Sequence, residues 1–352
     1  MTGTDPQAYF GIRNELADKL LRGADQLAGV PAESRARVLR AALDAVPEAA
    51  GPLRAYPALY ADGESSASRL AFSCLSAAAT FPGAPRGTIA ELGALTAVLF
   101  AVDDLADGVA DGLSTGFGAF FSLLPAALAG PSADPGPSAD PGFSSGPGAG
   151  AGTVGEVLGA WRGWAARFRA HAGGHTEALA GQLRLAGAAM ARERAWSAGR
   201  EPWPSYDDYL ANGRITILYP TWWAAALVLC GPRPVRWETV ERATLLGASC
   251  VRLANDIRTF EREKAEGKPN SIGILQRSGA TAEEAVTRVA AHIGELEAAF
   301  HAALAELPEE LAGIAEGQRR SVAFNGRWYL ARDTHAYTVG ELTADTAAHR
   351  AR

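Results

Sequence analysis

The segment from Thr88 to Gly108, TIAELGALTAVLFAVDDLADG, constrains the fold of this chain more than any other. Between Leu92 and Val102 it is apolar nearly all round, so a helix of this sequence belongs inside a bundle and not on its surface. It then ends in acid: Asp103, Asp104 and Asp107, with Asp111 a turn further on. Thr88 is placed to cap the helix, and Glu91 three residues later completes a capping box. A buried helix that runs into carboxylates predicts either a solvated acidic end or a cation site at the mouth of a cavity.

Helical periodicity covers most of the remaining chain, over 34–47, 67–80, 154–197, 205–229, 236–266, 281–305 and 308–331. Alanine is very abundant and nearly all the basic residues are arginine, both strong helix formers. Period-2 runs of Val, Ile and Thr are hard to find. The fold class predicted is all-α, with residues 1–352 as one domain. Residues 130–153, GPSADPGPSADPGFSSGPGAGAGT, carry the hexamer PSADPG twice in tandem. Such Pro, Gly and Ser content cannot build a core, which predicts a disordered insertion inside that domain.

Asp103 and Asp107 stand at i and i+4, on one helix face and about 6 Å apart along the axis. Carboxylates so placed repel unless a cation lies between them. Hard divalent ions take oxygen ligands, and Mg²⁺ usually combines one or two carboxylates with water and substrate phosphate. A second segment, ANDIRTFERE from Ala254 to Glu263, puts Asn255, Thr259 and Glu263 at i, i+4 and i+8. These three oxygens form an oblique stripe at the end of another amphipathic helix. The alternative is an ordinary polar face with Thr259 bonded back to its own backbone. Between the two lies PSYDDYLANGRITILYPTWW, residues 204–223, where Arg214 is a lone base among apolar and aromatic residues. Its planar fork suits a phosphate; a salt bridge to Asp207 or Asp208 is the other reading. Pro220 has no N–H, so the carbonyl of Thr216 loses its helical partner, and a break is expected near Ile217 and Leu218.

The net charge of −6 argues against a nucleic-acid partner. MTGTDPQAYFG has neither the basic nor the apolar region of a signal peptide. The longest apolar run, Thr221 to Cys230, is too short to span a bilayer. Three cysteines, Cys74, Cys230 and Cys250, at unrelated spacings fit a reduced cytoplasmic protein without structural zinc.

Taken together, these residues resemble the class I terpene synthases, bacterial terpene cyclases in particular, over roughly residues 60–340. Asp103, Asp104 and Asp107 match the aspartate-rich motif of that family. Asn255, Thr259 and Glu263 match its Asn/Asp-Ser/Thr-Glu motif, with Arg262 as the basic residue before the last ligand. Arg214 matches its diphosphate-sensing arginine. The resemblance implies an all-helical bundle around a central apolar cavity. It also implies three Mg²⁺ ions and a prenyl diphosphate substrate, which ionises, cyclises and releases diphosphate. Phe100, Ile217, Leu218, Trp222 and Trp328 are the expected pocket residues, with Tyr219, Trp223 and Phe324 as further aromatic candidates. The family usually closes with an adjacent Arg-Tyr pair; here FNGRWYLARDTHAYTVG has none. Arg332 and Tyr337 are therefore the expected second diphosphate contact, with Arg327 as the alternative arginine. The resemblance leaves a homodimer open.

Small residues (Gly93, Ala94, Ala97, Ala101, Ala224, Ala225, Ala226 and Ala248) suggest room for a C20 substrate, linear or already bicyclic; farnesyl diphosphate, the C15 substrate of a sesquiterpene synthase, is the alternative. A chain-elongating synthase would need a second aspartate-rich motif, whereas the second helix here carries only Asp256. From a different class, a non-catalytic prenyl-binding helical protein would keep the pocket without metal-dependent release.

Overall fold

The structure, a computed structural model, describes residues 25–60, 64–108, 116–130, 152–232, 236–331 and 337–350. Among these the architecture is all helical, with no strand. In chain order, α1 (Ala32–Leu53), α2 (Pro57–Tyr60), α3 (Glu64–Thr80) and α4 (Arg86–Asp107) build one side of the bundle. Next come α5 (Phe117–Ala129), α6 (Gly152–Ala172), α7 (Glu177–Ser197), α8 (Tyr206–Thr216) and α9 (Tyr219–Cys230). Then follow α10 (Trp237–Ala265), α11 (Ser271–Arg277), α12 (Ala282–Ala305), α13 (Ala312–Ala331) and α14 (Val339–Arg350). The α3 helix packs on α1, α4 and α13, while α10 packs on α8, α12 and α13. A single apolar cluster extends from Leu27 to Leu342 through most of these helices.

The α4 helix shows how the sequence sets the site. Ile89, Leu92, Leu95, Val98, Leu99, Val102 and Leu105 are all buried, as an all-round apolar helix requires. Gly108 adopts φ 74° and returns its N–H to the last carbonyls, stopping the helix one residue after Asp107. The start differs from expectation. The helix begins at Arg86 behind Pro85, without a side-chain cap. Glu91 instead accepts from Arg167 Nε at 2.7 Å. A neighbouring helix outcompetes the local capping box.

The expected helix over 154–197 is two helices, because Gly173 and Gly174 take φ 55° and 92° between α6 and α7. The break expected near Ile217 and Leu218 is present. Leu218, with φ 57°, is the only non-glycine at positive φ among the described residues. Four helices have no counterpart in the sequence reading, and two of them, Pro57–Tyr60 and Ser271–Arg277, are short. Phe117–Ala129 is too uniformly apolar to show a period, and Val339–Arg350 lies beyond the last periodic segment. Of the 130–153 insertion, residues 131–151 lie outside the described residues, as do Asp111 and Arg332.

Candidate active site

One cavity of about 710 Å³ opens between α3, α4, α7, α8, α9, α10 and α13. Asp103, Asp104 and Asp107 line it from α4, and Asn255, Thr259 and Glu263 line it from α10. The two acidic helix ends therefore share one hollow. Both carry their carboxylates in or near the last turns, where the helix dipole disfavours negative charge by about 0.3–1 kcal/mol per group. Residues arranged against the dipole in this way need a cation.

The electrostatics agree. Burial pushes the Asp103 carboxyl well above the ordinary range, and repulsion from Asp107, Asp104 and Glu193 pushes it further; Arg252 opposes. Glu193, on α7, is also raised by burial, against Arg252 and the Thr216 hydroxyl, with Asp107 and Glu263 adding to the rise. One carboxylate thus senses both acidic helix ends across the cavity.

Existing cations hold part of the rim. Arg69 of α3 grips both oxygens of Asp104, with Nη2–Oδ1 at 3.0 Å. Lys268 Nζ lies 3.0 Å from Asp107 Oδ2, and Arg194 donates to the Ala106 carbonyl at 2.7 Å. On α10, Thr259 donates to the Asn255 carbonyl at 3.0 Å, the local bond anticipated for it, while still facing the cavity. Glu263 accepts from Asn270 Nδ2 at 2.8 Å. Among the described residues no three His, Cys, Asp or Glu side chains form an all-protein metal cage. What the rim offers is two sets of hard oxygen donors, and this chemistry fits Mg²⁺, which completes its shell with water and phosphate.

Arg252 is the buried base of the site, and the sequence reading missed it. Its Nε lies 2.9 Å from Asp256 Oδ1 and 3.0 Å from the Tyr209 hydroxyl. Its Nη1 lies 3.5 Å from Thr216 Oγ1 and 3.9 Å from Glu193 Oε1. The signal was available. Arg252 precedes Asn255 by three residues and Thr259 by seven, which puts all three on one helix face. Arg214, expected in this role, does not line the cavity, and its buried Nε has no hydrogen-bond partner. Thr216, two residues on, does line it. Residues two apart on a helix sit about 200° apart, so the face that admits Thr216 turns Arg214 away.

Of the remaining expected residues, Arg262, Phe100, Ile217, Leu218, Trp222 and Tyr219 line the cavity. Trp328 does not: it is fully buried behind the wall, with its ring 5.2 Å from Phe72 and 5.5 Å from Phe324. Trp223 and Phe324 also lie behind it. Tyr337 packs edge-on against Trp328 and donates to Asp345 Oδ2 at 2.7 Å, away from the rim. None of the eight small residues taken as a sign of room lines the cavity; Gly93, for one, packs against Cys74.

A family model, terpene synthase family 2, C-terminal metal binding, matches residues 94–299 and so includes both acidic helix ends. The chain belongs to the class I terpene synthases. This terpene synthase is 32% identical over 105 residues to the ent-kaurene synthase of Marrubium vulgare. It is 35% identical over 91 residues to the cis-abienol synthase of Nicotiana tabacum. These matches cover 28% and 24% of this chain but only 14% and 12% of those much longer relatives. In fold it resembles isoprene synthase from grey poplar, Populus x canescens, with TM-score 0.64 and 15% identity over 89% of this chain and 57% of that one. Linalool/nerolidol synthase from Streptomyces clavuligerus, solved with 2-fluorogeranyl diphosphate, gives TM-score 0.59 and 19% identity over 83% and 96%. Among the described residues no helix is long and apolar enough to cross a membrane.

Proposed function

We propose that this chain ionises a prenyl diphosphate, cyclises the resulting allylic cation and releases diphosphate. The observation that carries the reading is the single cavity, with opposed acidic helix ends at its mouth and aromatic and aliphatic walls below. Asp103 and Asp107 on one side, and Asn255, Thr259 and Glu263 on the other, would hold Mg²⁺, three ions by the family pattern. When bound, Mg²⁺ supplies positive charge to the departing diphosphate.

The chain's own residues do the rest. Arg252 and Arg262 present guanidinium charge to the anion. Such preorganised charge, aimed at where negative charge develops, is usually the largest catalytic contribution. Arg69 holds Asp104, which fixes the orientation of the whole α4 acidic turn. Below the rim, Phe72, Leu99, Ile217, Leu218 and Val251 exclude bulk water that would trap the cation early. Phe100 and Trp222 offer ring faces able to stabilise positive charge.

A C20 substrate is the favoured length. The relatives named for kaurene are diterpene synthases. The volume of about 710 Å³ also lies in the upper part of the roughly 300–1,000 Å³ typical of small-molecule sites. The test is incubation with C10, C15, C20 and bicyclic C20 diphosphates plus Mg²⁺, followed by mass analysis and a diphosphate assay. Turnover should be greatest with a C20 substrate, and should vanish in EDTA and in Glu263→Gln without loss of helix content. Full diphosphate release in EDTA would sink the metal reading.

A further inference from the structure

The lower wall of the cavity is not uniformly apolar. Two helices present cavity-facing stripes at helical spacing: Arg69, Phe72 and Ser76 on α3, and Ser321, Asn325 and Tyr329 on α13. Arg69 holds Asp104 at the rim. Ser76 is seven residues further along α3, roughly 10 Å deeper at 1.5 Å per residue. A prenyl chain anchored by its diphosphate at the rim therefore brings hydrocarbon, not phosphate, to this depth.

The hydrogen bonding there is one-sided. Ser76 Oγ donates to Asn325 Oδ1 at 3.1 Å. Both Asn325 Nδ2 hydrogens are engaged, with the Ser321 carbonyl at 2.9 Å and Ser321 Oγ at 3.2 Å. The amide is therefore locked with its oxygen towards Ser76. Among the described residues no donor reaches Ser76 Oγ, and Asn325 Oδ1 accepts only once. Each oxygen keeps acceptor capacity. Of the other hydroxyls of the wall, those of Thr96 and Thr216 are engaged within the protein, while the buried Tyr219 hydroxyl has no hydrogen-bond partner among the described residues. Thr96 donates to the Leu92 carbonyl at 2.9 Å and accepts from Trp222 Nε1 at 3.0 Å. Thr216 donates to Glu193 at 2.8 Å. Burying polar groups with unfilled capacity costs free energy that an Ala–Leu pair would avoid.

The geometry points to a water site: Ser76 Oγ and Asn325 Oδ1 hold one water in the hydrocarbon half of the cavity, as the nucleophile that quenches the final carbocation. Two acceptors take both hydrogens of that water and leave its lone pairs turned towards the substrate. A lone pair forms the C–O bond to the cationic carbon. One O–H bond of the resulting oxonium breaks, and its proton passes to solvent water that enters through the cavity mouth as the diphosphate leaves. The product is an alcohol, neutral and without change of oxidation state.

This inference rests on the ionisation reading above, and one experiment separates the two. The full chain is incubated with Mg²⁺ and the accepted prenyl diphosphate in H₂¹⁸O, and both released diphosphate and labelled product are measured. The expected result is a terpene alcohol carrying ¹⁸O. In Ser76→Ala and in Asn325→Leu the labelled fraction of total product should drop roughly ten-fold, the worth of one lost hydrogen bond to a bound water. Ser76→Thr, which keeps the hydroxyl, should restore it; a purely structural role would not follow the hydroxyl in this way. Diphosphate release with only unlabelled hydrocarbon overturns the water site and leaves ionisation standing. An unchanged labelled fraction in both variants also overturns it. No diphosphate release from any chain length overturns the ionisation reading, and this one with it.

Discussion

Replacing Arg252 with leucine tests how the site is held together. Arg252 is 8% exposed, and its guanidinium touches Asp256, Tyr209, Thr216 and Glu193, which come from α7, α8 and α10. Removing one partner of a buried pair strands the other charge, at a cost of about 3–5 kcal/mol. Asp256 would keep the Tyr209 hydroxyl at 2.9 Å and the Ser271 N–H at 3.2 Å, so the lower end of that range, about 3 kcal/mol, is expected. That is a large part of the roughly 5–15 kcal/mol by which domains are stable, yet short of abolishing the fold. The loss should depend on pH. Burial already raises the Asp256 and Glu193 carboxyls, and Arg252 opposes the rise in both. Without it their folded pKa values climb further above the unfolded ones. A group raised on folding contributes stability below its unfolded pKa and loses it as pH rises through the folded value. The deficit should therefore be largest above neutrality and shrink as pH falls towards the ordinary carboxylate range near 4. Urea denaturation of wild type and Arg252→Leu at two pH values, about 7.5 and 5.5, measures it. A deficit under about 1 kcal/mol at the higher pH, or equal deficits at both, would refute the account of a cation neutralising buried carboxylates.

Two further perturbations probe rim and core. Lys268 Nζ stands 3.0 Å from Asp107 and 2.8 Å from Glu266, so Lys268→Met should open Asp107 to a divalent ion. Mg²⁺ alone should then raise the melting temperature at a several-fold lower concentration than in wild type; an unchanged Mg²⁺ dependence would remove Asp107 from the ligand set. At Gly247 of α10 an added Cβ would lie 2.8 Å from Val322 Cγ2 and 3.2 Å from Phe300 Cε2. The overpacking cost of about 1–3 kcal/mol should outweigh the roughly 1 kcal/mol gained in helix propensity, leaving Gly247→Ala less stable in urea. A stabilised variant would show that the α10–α13 contact has slack.

The sequence by itself determined whatever a single helix can encode. Asp103 with Asp107, and Asn255 with Thr259 and Glu263, were legible because the helical period alone puts i and i+4 on one face. The helix break at Leu218 was legible because Pro220 removes a donor whatever surrounds it. Tertiary structure alone decided which face of each helix meets the cavity and which distant groups meet there. Rotation about the axis of α8 turned Arg214 away from the cavity and Thr216 into it. The packing of α7 and α8 against α10 made Arg252 the buried cation and brought Glu193 to it. Contact with α6 drew Glu91 away from its expected cap, and Trp328 and Tyr337 went into the packed wall behind Phe72. Spacing along one helix is local geometry and survives any fold; the composition of a cavity wall is set by helices remote in sequence, whose relative rotation only the packed core determines.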